Sequence, residues 1–183
     1  MYGNNPRSTA QIGGHPLHPL MIPFPMVGFI SAFATDVAFK VTGNPKWANA
    51  SKWLLGLGLV GSVGAAATGF TDYLGDDRVP QISEANQHMI ANVSLVAIQA
   101  VNLGLRVVSD KEEVSNANMA LSSAAFAILG YSGWLGGELV YRHRIGVQET
   151  VDQFSGYDDG HAEGGLGIPR GPALDEKIKE FTH

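Results

Sequence analysis

The chain has 183 residues, enough for one domain, with 12 lysines and arginines, 17 aspartates and glutamates, and no cysteine. The absence of cysteine excludes a disulfide framework, a cysteine-ligated iron–sulfur cluster and covalently attached haem, so any cofactor must be held by histidine, carboxylate or packing. The net charge of −5 at pH 7 gives no basic footprint for nucleic acid.

Charged residues are unevenly distributed along the chain. None occurs between Arg7 and Asp36, none between Lys52 and Asp72, and none over residues 114–137. An uncharged apolar stretch of about 18 residues or more can cross a bilayer, because a helix rises about 1.5 Å per residue and the hydrocarbon layer is about 30 Å thick. The sequence therefore predicts an integral membrane protein.

The first predicted span, residues 20–39, follows a double His-Pro unit that contains His15 and His18. Proline after each histidine disfavours the helical conformation of both, so we expect the unit to be an extended cap and not the first turn of a helix. Such a cap would present two imidazoles to a neighbouring element.

Three further spans are predicted over residues 53–73, 88–108 and 119–140. In the second, Gly61, Ala65 and Gly69 follow one another at i, i+4 and form a flat stripe on which a helix or a planar ligand can lie. The third is the most polar, and the fourth contains Gly133 and Gly137 in a G-x-x-x-G pair.

Short connections between the spans favour antiparallel neighbours. The predicted fold class is therefore all-α: an integral membrane up-down-up-down four-helix bundle with an irregular C-terminal tail. Residues 1–147 form the transmembrane domain in this interpretation. Residues 148–183 are rich in glycine and acid and form the irregular tail.

This topology gathers histidines and carboxylates at one membrane face. The residues predicted there are His15, His18, Asp72, His88, Glu138 and His143. The opposite face contains Asp36 and Arg106, which we expect to form a structural ion pair in the bundle interior, because charged groups at membrane depth usually pair with one another.

Two kinds of site suit the histidine-rich face. The first is haem b, bound by His15, His18, His88 or His143, with small residues where the ring passes close to backbone: Gly61, Gly69, Gly133 and Gly137. The second is a metal ion held by imidazole and carboxylate, with His18, His88, His143, Asp72 and Glu138 as ligands. Ordinary roles remain open beside both, since interfacial histidines often cap helices and Glu138 lies at i, i+4 from Arg142.

Four motifs, together with the Pro23-x-Pro25 pair at the entrance of the first span, resemble those of the bacterial membrane proteins called the domain of unknown function 2231 family. They are His15-Pro-Leu-His18-Pro, Gly69-x-x-Asp72, Asn102-x-x-x-Arg106 and the run from Gly133 to Val147 that contains Tyr141-Arg-His143. The resemblance implies a four-helix membrane fold and a place in membrane electron transfer, because similar proteins are joined to, or adjacent to, Rieske-type or cytochrome domains. We expect this chain to need a separate redox partner.

The sequence thus favours a b-type cytochrome-like electron-transfer protein or subunit in the bilayer, and it leaves open whether the chain is an enzyme. The alternative is a non-catalytic anchor or accessory subunit of a larger complex. We expect a bacterial inner membrane location. Arg7 precedes the first span whereas Lys40 and Lys46 follow it, which places the histidine face outside.

Overall fold

The computed structural model describes residues 5–109 and 111–147. A short hairpin of β1 (Gln11–Ile12) and β2 (His15–Pro16) precedes five helices. The helices are α1 (Leu17–Met21), α2 (Pro23–Thr42), α3 (Pro45–Leu74), α4 (Ser83–Ser109) and α5 (Asn116–Tyr141), with a 3₁₀ turn at Val79–Gln81. The predicted tail, residues 148–183, lies outside the described residues.

Local sequence signals mark the helix ends. Gly43 ends α2 with a φ of 66°, a left-handed conformation that favours glycine. Asn44 begins α3 by accepting a hydrogen bond from the N–H of Lys46. Ser115 begins α5 in a capping box with Asn118. The long helices extend beyond the predicted spans at most of their ends, because these caps lie outside the apolar runs.

The expectation that neither histidine of the His-Pro unit starts a helix is wrong for His18. His15 lies in β2, but His18 is the second residue of α1. Pro19 is tolerated in this first turn because the N–H that proline lacks would have no intrahelical partner there. The turn is held from outside, since the N–H of Leu17 donates to the carbonyl of Ala10 at 2.8 Å.

The long helices form a four-helix bundle. Helix α2 packs against α3 and α5, and α4 also packs against α3 and α5. Helices that follow one another in the chain are therefore neighbours, and the first and last long helices close the bundle. Their common core is apolar and small: Phe29, Ala32, Leu55, Leu95 and Ala125. This arrangement confirms the predicted up-down-up-down bundle.

Beside this apolar core the bundle buries many polar side chains, and its outer surface exposes large apolar ones. Its fully buried side chains include Asp36, Gln99 and Asn102, whereas Trp53 and Trp134 are each 71% exposed. A bundle in water exposes its polar side chains and buries its large apolar ones. The opposite distribution found here is that of a bundle surrounded by lipid. Four helical stretches are long and apolar enough to span a membrane: Leu17–Thr42, Pro45–Leu74, Ser83–Ser109 and Asn116–Tyr141.

Candidate functional site

His18 is fixed against α3 by the first turn of α1. Its Nδ1 lies 2.9 Å from the carbonyl oxygen of Ala65. Because a carbonyl only accepts hydrogen bonds, Nδ1 carries the proton and Nε2 keeps a free lone pair. The ring lies against Gly69, where an added methyl group would be 2.8 Å from Cε1 of His18. Gly69 therefore provides the space that the imidazole occupies.

His88 is held in the same way by the opposite side of the bundle. It lies near the start of α4, and its Nδ1 is 2.9 Å from the carbonyl oxygen of Ser132 on α5. The Ser132 hydroxyl accepts a hydrogen bond from Asn92 at 2.7 Å and lies 3.1 Å from Nδ1 of His88. A methyl group added at Gly136 would lie 3.3 Å from the His88 ring. His88 thus has the same tautomer, with Nε2 unprotonated.

The two imidazoles lie close together. Their ring centroids are 6.4 Å apart and their planes are perpendicular. Each Nδ1 is bonded back to a helix carbonyl, and neither Nε2 has a hydrogen bond to any residue that the structure describes. Two basic nitrogens from different helices are therefore available to one shared ligand.

The other two predicted histidines have other neighbours. His15 is exposed on the hairpin, and its Nδ1 bonds to the carbonyl of Gly13 at 3.0 Å. His143, after α5, has its Nε2 3.5 Å from Oε2 of Glu84. Nε2 of His143 is buried and has no hydrogen bond within the described part of the chain.

The two predicted carboxylate ligands have other partners. Asp72 accepts hydrogen bonds through Oδ1 from the Ser8 hydroxyl and the Ala10 N–H, both at 2.8 Å. Glu138 pairs with Arg142 at 3.0 Å on the surface of α5. Within residues 5–109 and 111–147, no group of three or more histidines and carboxylates could hold a metal ion.

The four predicted glycines have different surroundings. Gly61 packs against the backbone of Phe24 and Pro25, and Gly69 packs against His18. Gly133 faces open space, and Gly137 has only the Tyr141 ring nearby, 4.0 Å from where its methyl group would be. The stripe on α3 thus accommodates α2 and the imidazole of His18.

A buried polar cluster lies at the other end of the bundle. Arg106 donates to both carboxylate oxygens of Asp36, at 2.9 and 2.7 Å, which confirms the predicted ion pair. Ser51 accepts from Arg106, and Ser122 donates to Asp36. Asn102 accepts from Nε of Arg106 at 3.1 Å. All four long helices contribute, and the cluster is completed by Gln99 and Asn118.

Sequence reasoning did not identify the residues that orient the two imidazoles. The carbonyls of Ala65 and Ser132 carry no side-chain signal. Asn92 and Ser132 could have been suspected, because polar side chains in an apolar span usually hydrogen-bond across helices.

The chain matches no curated protein and no solved structure. A family model described as "Predicted membrane protein (DUF2231)" matches residues 14–149, which include both imidazoles, the buried polar cluster and all four spans. The match covers well over half of the chain, and it agrees with the family that the four sequence motifs resemble. The chain belongs to the DUF2231 family of membrane proteins.

Proposed function

We propose that this membrane protein carries electrons through a haem b whose iron is bound by His18 and His88. The observation that carries the proposal is the close pair of imidazoles, 6.4 Å apart between centroids, each with Nδ1 bonded to a helix carbonyl. A hydrogen bond from the remote ring nitrogen is the usual way in which proteins orient a histidine ligand and raise its basicity.

The spacing of the rings suits one shared metal. The ring centroids of His18 and His88 are 6.4 Å apart. Both Nδ1 atoms are bonded to helix carbonyls, so Nε2 of each ring is the nitrogen that would hold the iron.

The number of ligands favours haem over an isolated metal ion. Zinc takes four protein ligands in structural sites and three in catalytic ones. Among the residues that the structure describes, two imidazoles meet at this site, and Asp72 and Glu138 are engaged elsewhere. Haem iron needs only axial ligands from the protein. Because the chain has no cysteine, the haem would be held without thioether bonds.

A haem held by two histidines would supply one-electron transfer. His18 and His88 would hold the iron, and Ala65 and Ser132 would hold the imidazoles in the ligating tautomer. A separate redox protein, or a larger membrane complex, would supply or accept the electron. We place the chain in the bacterial inner membrane with the histidine end outside, on the basis of Lys40 and Lys46 after the first span.

The absorption spectrum of the purified protein, produced with ample haem, tests the proposal. We expect the bands of a low-spin b-type centre, extractable by acid acetone. His18→Ala and His88→Ala should each give a high-spin or haem-free protein, because each removes one axial ligand. His15→Ala and His143→Ala are the matched controls and should retain the parent spectrum.

Three results would contradict haem ligation by this pair. A colourless parent protein would favour the non-catalytic anchor or accessory subunit. A low-spin spectrum that survives both His18→Ala and His88→Ala would move the ligands elsewhere. Stoichiometric zinc, iron or manganese without porphyrin, measured by elemental analysis, would favour the metal-ion alternative.

A further inference from the structure

We infer that Asp72 is a positioning residue for His18, and that it acts through the N-terminal segment that precedes α1. This inference rests on the proposed function in one respect: the proposed function makes His18 a ligand, and the position of a ligand matters. Residues 5–16, called the strap here, cross the end of α3 and lead directly into α1. Asp72 is the point on α3 to which the strap is bonded.

Hydrogen bonds from three consecutive residues join the strap to the end of α3. Oδ1 of Asp72 accepts from the Ser8 hydroxyl and from the Ala10 N–H, both at 2.8 Å. The Thr9 hydroxyl donates to the carbonyl of Thr71 at 2.8 Å and lies 3.5 Å from Oδ1 of Asp72. Ser8 is only 6% exposed and Ala10 only 8% exposed, so the bonds of these two residues are partly shielded from solvent, whereas those of Thr9 are exposed. Hydrogen bonds to a charged acceptor are about twice as strong as those between neutral groups.

A short chain of backbone bonds connects Asp72 with His18. The same Ala10 whose N–H is held by Asp72 accepts, through its carbonyl, the N–H of Leu17 at 2.8 Å. Leu17 is the first residue of α1 and His18 is the second. The intervening residues form the hairpin, which turns at Gly13 and Gly14 with φ of 56° and 81°. Asp72 therefore fixes the start of the helix that carries His18.

This arrangement explains a carboxylate in an unfavourable place. The C-terminal end of a helix carries partial negative charge, so an aspartate in the last turn of α3 is destabilising unless donors surround it. The strap supplies those donors. The two histidines consequently differ in support: His88 lies in the second turn of the 27-residue helix α4, whereas His18 lies in the first turn of the stretch Leu17–Thr42, into which the strap leads directly. His18 depends on the strap, and His88 does not.

Modification by diethyl pyrocarbonate, read by mass spectrometry at each histidine, tests the inference on the full chain whether or not it carries haem. Losing a hydrogen bond to a charged group should raise the population of the open strap about tenfold. We therefore expect His18 in Asp72→Ala to react about tenfold faster than in the parent, and His88 at the parent rate. Asp72→Asn retains an acceptor oxygen and should restore much of the protection.

Asp77→Ala is the matched control, because Asp77 is an exposed carboxylate five residues along on the same side of the bundle. It should leave both histidines unchanged. Ser8→Ala removes one of the bonds to Oδ1 and should increase the reactivity of His18 less than Asp72→Ala does. It also serves if Asp72→Ala loses its helical circular dichroism.

Two results would overturn the inference: His18 reacting at the parent rate in Asp72→Ala, or His18 and His88 becoming reactive together, which indicates general loosening. In a parent that binds haem, Asp72→Ala should also shift the centre from low spin toward high spin and change its midpoint potential. A colourless parent would contradict the proposed function alone, because the labelling of His18 still decides the role of Asp72.

Discussion

Arg106 makes hydrogen bonds to several residues besides its ion-pair partner Asp36. It bonds to Asp36 through two nitrogens, to Asn102 through Nε and to Ser51 through Nη1, and Ser122 bonds to the same carboxylate. Both charges are almost completely buried, with side-chain exposures of 3% and 0%. Such a pair is tolerated in an apolar surrounding because the remaining donors and acceptors are also satisfied.

We predict that Asp36→Asn lowers the free energy of unfolding by about 3 kcal/mol, because Arg106 is then buried without a counter-charge. Unfolding in sodium dodecyl sulfate mixed micelles measures the change. The double variant Asp36→Asn with Arg106→Gln should lose less than the sum of the single variants, since neither charge remains unpaired. Lys111→Gln, at an exposed ion pair, is the control and should unfold as the parent does. Additive single effects would contradict the coupling.

The sequence predicted the Asp36 and Arg106 pair because few charges occur within apolar spans, and charged groups at that depth usually pair with one another. It predicted a face rich in histidines because antiparallel helices bring the ends that carry them to one side of the membrane. It could not predict that His18 meets His88 while His15 and His143 have other neighbours. Spans that are apolar on all sides leave the rotation of each helix undetermined, and rotation decides which side chains meet.

At the scale of helices, α2 and α3 approach each other closely. A methyl group added at Gly28 would lie 2.6 Å from Cα of Gly58, so the two backbones are almost in contact. Gly58 in turn leaves room for the ring of Phe29. Small residues that let backbones approach closely are a main source of helix association in membranes, where apolar burial alone gives little.

We predict that Gly28→Ala destabilises the bundle by about 2 kcal/mol, because α2 and α3 must separate to admit the methyl group. Gly104→Ala is the control: nothing lies within 4 Å of its added methyl group, and alanine favours the helix over glycine. The same detergent titration compares them. Equal stability of the two variants would contradict the close packing.

The glycine signals in the sequence were only partly informative. The i, i+4 stripe on α3 does accommodate neighbours, as Gly61 and Gly69 show. The G-x-x-x-G pair of α5 does not, since Gly133 faces open space. Gly28 is followed by Ala32 at i+4 in α2, but its partner Gly58 lies on another helix. A motif within one segment cannot reveal such a contact.

At the scale of the whole molecule, three spans separate the connection after α2 from the residues after α5. We therefore predict that Lys46→Cys and Val147→Cys, each the only cysteine of its variant, react with an impermeant maleimide from opposite sides of the membrane. With the histidine end outside, only Val147→Cys should be labelled in intact cells. Labelling of both from one side would contradict the four-span topology, and labelling of Lys46→Cys alone would invert the orientation.

The buried polar cluster also has a consequence for biogenesis. Asp36 precedes Arg106 by 70 residues, so during synthesis Asp36 is inserted into the membrane before Arg106 has been translated. A nascent chain with only its first two spans inserted carries a carboxylate at membrane depth with no cation beside it. The first two spans alone are therefore unfavourable in the membrane. Insertion of α4 completes the charge pair and favours retaining all four helices together. Asp36 and Arg106 make the assembled bundle, and not any fragment of it, the stable product of insertion.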